Sequence, residues 1–187
     1  VTQREGIDGK NAARYLTKLS DDLSQIASLE RLEFRFKFTE LNVNDFDPIS
    51  KKFKDDLSKN FQSIYSFHLD SMDGREKFLD AIDHAKETKL DGLAYPRRNK
   101  LNSDSPSDCF YVGTSRNTFE RLKGHLGFGA KSTYSLHLKC WASRLTGGFE
   151  IVVHKFDLDD EQLHLLTYIE DDLAREVQPM LGRRGNL

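Results

Sequence analysis

Between residues 10 and 28, KNAARYLTKLSDDLSQIAS sets apolar positions at helical spacing among charged ones, which predicts an amphipathic helix. The period then drops to two. In RLEFRFKFTEL (31–41), Leu32, Phe34, Phe36 and Phe38 share one face, the signature of a half-buried strand. Asp45 to Pro48 reads as a turn and N-cap, opening a helix to about Asn60. FQSIYSFHL (61–69) alternates again and puts Phe61, Tyr65, Phe67 and Leu69 on one face. After the turn DSMDG a helix is expected from about Arg75 to Glu87, and Leu90 to Asp108 reads as a polar loop.

CFYVG (109–113) predicts the next strand, followed by a helix from about Asn117 to Leu126. A glycine-broken loop, GFGAKS, leads to TYSLHLKCWASRL (133–145), which is expected to be helical. FEIVVHKFDL (149–158) predicts a last strand, and Asp159 or Asp160 caps a helix to about Val177. Strands and helices mix without strict βαβ alternation. The expected class is therefore α+β, a small, mostly antiparallel sheet flanked by helices, with an N-terminal helix and strand extension.

The 187 residues suffice for one sizeable domain, or a catalytic core with an added subdomain. The formal net charge of −2 excludes a uniformly basic coat but not a local basic patch. Two cysteines, Cys109 and Cys140, in apolar settings point to buried thiols in a reducing compartment rather than a disulfide framework. No run reaches the length of a membrane span, and VTQREGIDGK does not read as a signal peptide, so a cytoplasmic protein with no membrane partner is expected.

Several residues stand out chemically. On a helical wheel Glu170 falls within the stripe of Leu163, Leu166, Leu173, Ala174 and Val177, whereas Asp171 and Asp172 point elsewhere, into solvent. A carboxylate among leucines is costly unless it is paired or binds a cation, so Glu170 is either half of a structural ion pair or a metal ligand. In CFYVG, Tyr111 and Gly113 share a face, and the missing side chain at Gly113 leaves room beside the phenol. Arg121 and His125 are neighbours on one helix flank, next to the apolar stripe of Phe119, Leu122 and Leu126. Arginine matches phosphate geometry, and histidine can hydrogen-bond or move a proton. Glu161-x-x-His164 and the pair His137 and Cys140 lack the further ligands a metal site needs.

The span YVGTSRNTFERLKGHLG resembles the second signature of the GIY-YIG nucleases: Tyr-x-Gly, a short turn, then a helix bearing Arg and, four residues on, His. The resemblance continues downstream, where the family carries a Glu on a later helix, then a Pro and an Asn; Glu170, Pro179 and Asn186 match that order. It covers residues 61–187, with 1–60 as an extension for specificity or dimerisation and an inserted helix and loop at about 73–108. The first signature departs from Gly-Ile-Tyr. Tyr65, in Ser63-Ile64-Tyr65, and Tyr95, which runs into Pro96, are both candidates, and strand quality favours Tyr65.

The resemblance implies a DNA endonuclease that hydrolyses phosphodiester bonds with one Mg²⁺ or Mn²⁺ per site, held by Glu170. Tyr65, Tyr111, Arg121 and His125 would complete the catalytic set. Independently of the family, Arg97 to Arg144 holds Arg97, Arg98, Lys100, Arg116, Arg121, Lys123, Lys131, Lys139 and Arg144 against only Asp104, Asp108 and Glu120. Arg97, Arg98, Arg116, Lys123, Arg183, Arg184 and Asn186 are the expected nucleic-acid contacts. Double-strand cleavage with one site per chain calls for a homodimer. The alternatives are a nucleic-acid-binding module without catalysis, and an interaction protein in which Glu170 is a structural ion pair.

Overall fold

In the computed structural model, residues 9–57, 61–99 and 106–182 are described, with the backbone alone for 9–12. The alternating segments form four strands, β1 (Glu30–Lys37), β2 (Gln62–Leu69), β3 (Cys109–Ser115) and β4 (Gly148–Phe156). They make one antiparallel sheet in the order β1-β4-β2-β3. The fold is α+β, with helices flanking the sheet. The strand from the N-terminal segment pairs along its whole length with β4, from Glu30 opposite Lys155 to Lys37 opposite Gly148.

The pleat sorts the side chains. Phe34 and Phe36 of β1, Phe67 of β2, Phe110 of β3, and Phe149 and Ile151 of β4 join the principal core. After α1 (Gly9–Ser24), α2 (Asp47–Ser50) and α3 (Lys54–Leu57) come the helices that pack onto this core with Phe78, Leu79 and Ile82 of α4 (Arg75–Glu87), Leu122 and Leu126 of α5 (Thr118–Leu126), and Trp141 of α6 (Leu138–Trp141). Phe78 stands 4.7 Å from the Phe110 ring, which ties the helix inserted between β2 and β3 to the sheet. A smaller cluster of Ile64, Phe156 and Leu166, with Ile169 and Leu173 against it, covers part of the opposite face beneath α7 (Leu165–Val177).

Three helices differ from the sequence-based expectation. The helix expected at 133–145 is only the single turn Leu138–Trp141, because His137 takes a left-handed φ of 50° and the backbone before it bonds to other elements. The helix expected from Asp159 starts at Leu165; residues before it form turns, with Asp159 Oδ1 accepting from the Gln162 N–H. The run from Asp47 breaks into two short helices, Asp47–Ser50 and Lys54–Leu57. Among the described residues no helix is long and apolar enough to cross a membrane.

Candidate active site

Two strands and two helices build the site. In the β2–β3 ladder Tyr65 lies directly opposite Gly113, and Phe67 opposite Tyr111. A methyl at Gly113 would stand 2.7 Å from Tyr65 Oη, so the glycine makes room for the phenol of the neighbouring strand. The Tyr65 and Tyr111 rings stack with centroids 6.4 Å apart. Helix α5 begins right after β3. Asn117 caps it by accepting the Glu120 N–H at 3.2 Å, and the hydroxyls of Ser63 and Thr118 bond to each other, fixing its first turn on β2.

That placement brings Arg121 and His125 onto Tyr65. Arg121 Nε donates to Tyr65 Oη at 3.2 Å, and His125 Nε2 lies 3.0 Å from the same oxygen. The Leu136 N–H donates to His125 Nδ1 at 3.1 Å, so Nδ1 is the acceptor and the ring proton sits on Nε2, aimed at the phenol. Tyr65 Oη thus receives two hydrogen bonds, one from a cation. His125 is fully buried, and burial, the Arg121 charge and His137 hold its pKa well below the ordinary value, so the imidazole is neutral. His125 is thus closed off from solvent and bonds to Tyr65.

Burial pushes the pKa of both phenols up, while Arg121 pulls each down. At neutral pH both are protonated. Burial also works against the Arg121 charge, but the oxygens of Tyr65 and Tyr111 outweigh it and raise its pKa. The Arg121 guanidinium is further held by the Tyr134 carbonyl at 2.9 Å and Ser135 Oγ at 3.3 Å.

Glu170 is half-buried on α7, where Oε2 accepts from Thr114 Oγ1 at 3.2 Å, one residue beyond Gly113. Burial raises its pKa above the ordinary carboxylate range; the Thr114 bond opposes the shift and Asp171 adds to it. Its negative charge in turn raises the pKa of both Tyr65 and Tyr111. Neither Glu170 nor Arg121 takes part in an ion pair among the described residues. Asp171 departs from its expected solvated position, because its Oδ2 is buried without a hydrogen-bond partner. Among the described residues no three or more His, Cys, Asp or Glu side chains are grouped to hold a metal ion.

Tyr95 lies apart from this cluster, its hydroxyl donating to the Leu90 carbonyl at 3.2 Å. Of the basic residues, Arg97 and Arg116 are exposed. Arg98 pairs with Asp83 at 3.1 Å, and Lys123 sits 3.8 Å from Glu120 and over the Phe46 ring, on another flank of α5 from Arg121. Arg183, Arg184 and Asn186 lie outside the described residues.

Sequence reasoning missed Thr114 and the segment Tyr134–Ser135–Leu136, which binds Arg121 and His125 through two backbone groups and one hydroxyl. A readable trace was Gly124 inside α5, where a methyl would stand 3.1 Å from Ser135 Oγ. Compared with protein-family models, curated proteins and solved structures, the chain has no match.

Proposed function

We propose that the protein is a metal-dependent DNA endonuclease that hydrolyses phosphodiester bonds at a single-metal site of the GIY-YIG kind. One observation carries this reading. A tyrosine oxygen opposite a strand glycine receives hydrogen bonds from both an arginine and a histidine, within the field of a half-buried carboxylate that has no cationic partner among the described residues.

In-line hydrolysis of a phosphodiester needs an activated water, charge stabilisation at phosphorus and help for the leaving oxygen. Tyr65 is the better placed phenol to manage the water. Protonated at neutral pH, Tyr65 keeps its own O–H to donate to the attacking water or the phosphate, while Arg121 and His125 donate to its oxygen and set its direction. His125 is a positioning residue, held in one tautomer by Leu136. Arg121 carries the permanent charge that stabilises the developing phosphorane. Tyr111 stacks on Tyr65 and fixes the wall of the site.

Glu170 fits a hard divalent cation of the Mg²⁺ type, which keeps several waters and takes one or two carboxylates together with substrate phosphate. Such an ion, held by Glu170, would supply Lewis-acid charge at the phosphate and the leaving oxygen.

Supercoiled plasmid incubated with the protein and Mg²⁺ should become nicked or linear, and EDTA should stop it. A mobility shift without cutting under Mg²⁺ or Mn²⁺ would assign the non-catalytic binding module instead. In single-turnover cleavage Arg121→Ala should slow the chemical step by about 10²–10³-fold, the scale of losing one transition-state donor. A change in affinity alone would make Arg121 a binding residue.

A further inference from the structure

Exposed large hydrophobic side chains are few among the described residues, and Tyr134, 42% exposed, is the one beside Arg121. Its placement is fixed at both ends. The carbonyl accepts from Arg121 Nη1 at 2.9 Å, and the hydroxyl accepts from the Arg97 N–H at 3.3 Å. The phenol is close enough to Tyr111 to raise that group's pKa. An aromatic residue therefore stands at the rim of the cluster, its hydroxyl anchored and 42% of its surface open to solvent. The exposed Arg97 side chain starts from the residue its hydroxyl binds.

A ring left partly open to water adds little to the core. In duplex DNA the bases are stacked on one another and turn no face outward. In a single strand each base has a free face, and stacking on an aromatic side chain tolerates any sequence. A ring already held in place gives up little conformational freedom when a base stacks on it.

We propose that Tyr134 is a stacking platform for an unpaired base next to the cleaved bond, with Arg97 on the flanking phosphate, so that the substrate is DNA with a single-stranded stretch at the cut. This rests on the nuclease reading above. It adds a substrate class: branched, frayed or gapped DNA rather than continuous duplex.

The test is fluorescence anisotropy of a labelled single strand of about 20 nucleotides, longer than the span of one such groove, and of its duplex. Both are titrated with the full chain in EDTA at one fixed salt concentration, so that nothing is cut and the electrostatic contribution stays constant. The wild type should bind the single strand more tightly than the duplex. Tyr134→Ala should weaken single-strand binding by about 10-fold, the scale of one lost base–aromatic stack, and leave duplex binding unchanged. Tyr134→Phe keeps the ring and should bind as the wild type does. An unchanged Tyr134→Ala, an equal loss on both DNAs, or a Tyr134→Phe loss as large as that of Tyr134→Ala would overturn the platform and leave the nuclease reading standing. A wild-type protein that binds neither DNA would bring down both.

Discussion

Glu170→Gln should abolish Mg²⁺-dependent cleavage while leaving the protein folded and able to hold DNA. The side chain keeps its shape, and its amide oxygen can still accept from Thr114 Oγ1, now 3.2 Å from Oε2. On the nuclease proposal the loss falls on the negative charge that would hold the divalent ion, a charge that no cation among the described residues pairs with. Cleavage should drop by about 10³-fold or more, the scale of several kcal/mol of charge stabilisation. DNA affinity in EDTA should not fall, because it rests on exposed basic residues such as Arg97 and Arg116. Stability gives a second readout of opposite sign. Burial raises the Glu170 pKa above its unfolded value, so at neutral pH the ionised side chain weakens the folded state. Glu170→Gln removes that penalty and should melt higher than the wild type at pH 7. The gap should close as pH falls through the raised folded pKa towards the unfolded value of about 4.3. Full cleavage by the variant would take Glu170 out of the metal role. A lower melting temperature at pH 7 would show that a cation compensates the carboxylate after all.

The sequence exposed the pieces of this site better than their arrangement. Alternation placed all four strands within a residue or two at most ends, because each has a row of aromatic or branched residues for one face. The order β1-β4-β2-β3 was not legible, since pairing between strands far apart in sequence leaves no local mark. Helix α5 was legible because Asn117 and Gly127 bracket it, the latter with a φ of 97°. The segment 133–145 misled because Tyr134, Leu138, Trp141 and Leu145 have helical spacing, yet Leu136 spends its N–H on His125 and its carbonyl on Trp141 Nε1. A backbone group used in this way has no residue signature. For the same reason the Tyr134 carbonyl that holds Arg121 leaves no mark, whereas Arg121 and His125 stand out by their side chains.

Gly113→Ala should damage the site more than any other single methyl. The added carbon would lie 2.7 Å from Tyr65 Oη, 2.9 Å from Cζ and 3.1 Å from Tyr111 Cε1, and the first two are separations that real Cβ atoms essentially never show. Backbone strain plays no part, because Gly113 is an ordinary strand residue. The clash cannot be relieved by a swing of the phenol. Tyr65 is 1% exposed, held by Arg121 and His125 at its tip and packed edge-on to Phe67 with ring centroids 6.1 Å apart. Overpacking of this kind costs about 1–3 kcal/mol, and Tm falls by roughly 2–4 °C per kcal/mol in a chain of this length. Activity should suffer more, since misplacing a reacting group by about 1 Å can cost 10²-fold. Tyr65→Phe supplies the internal check. Alone it leaves Arg121 Nε and His125 Nε2 without their acceptor and should destabilise. Combined with Gly113→Ala it deletes the atom that the new methyl strikes first. Calorimetry should therefore find the double variant more stable than the sum of the two single losses, a favourable coupling between two residues that face each other across one rung of the sheet. Strict additivity would mean that β3 shifts to accept the methyl, and Gly113 would then have no part in shaping the site.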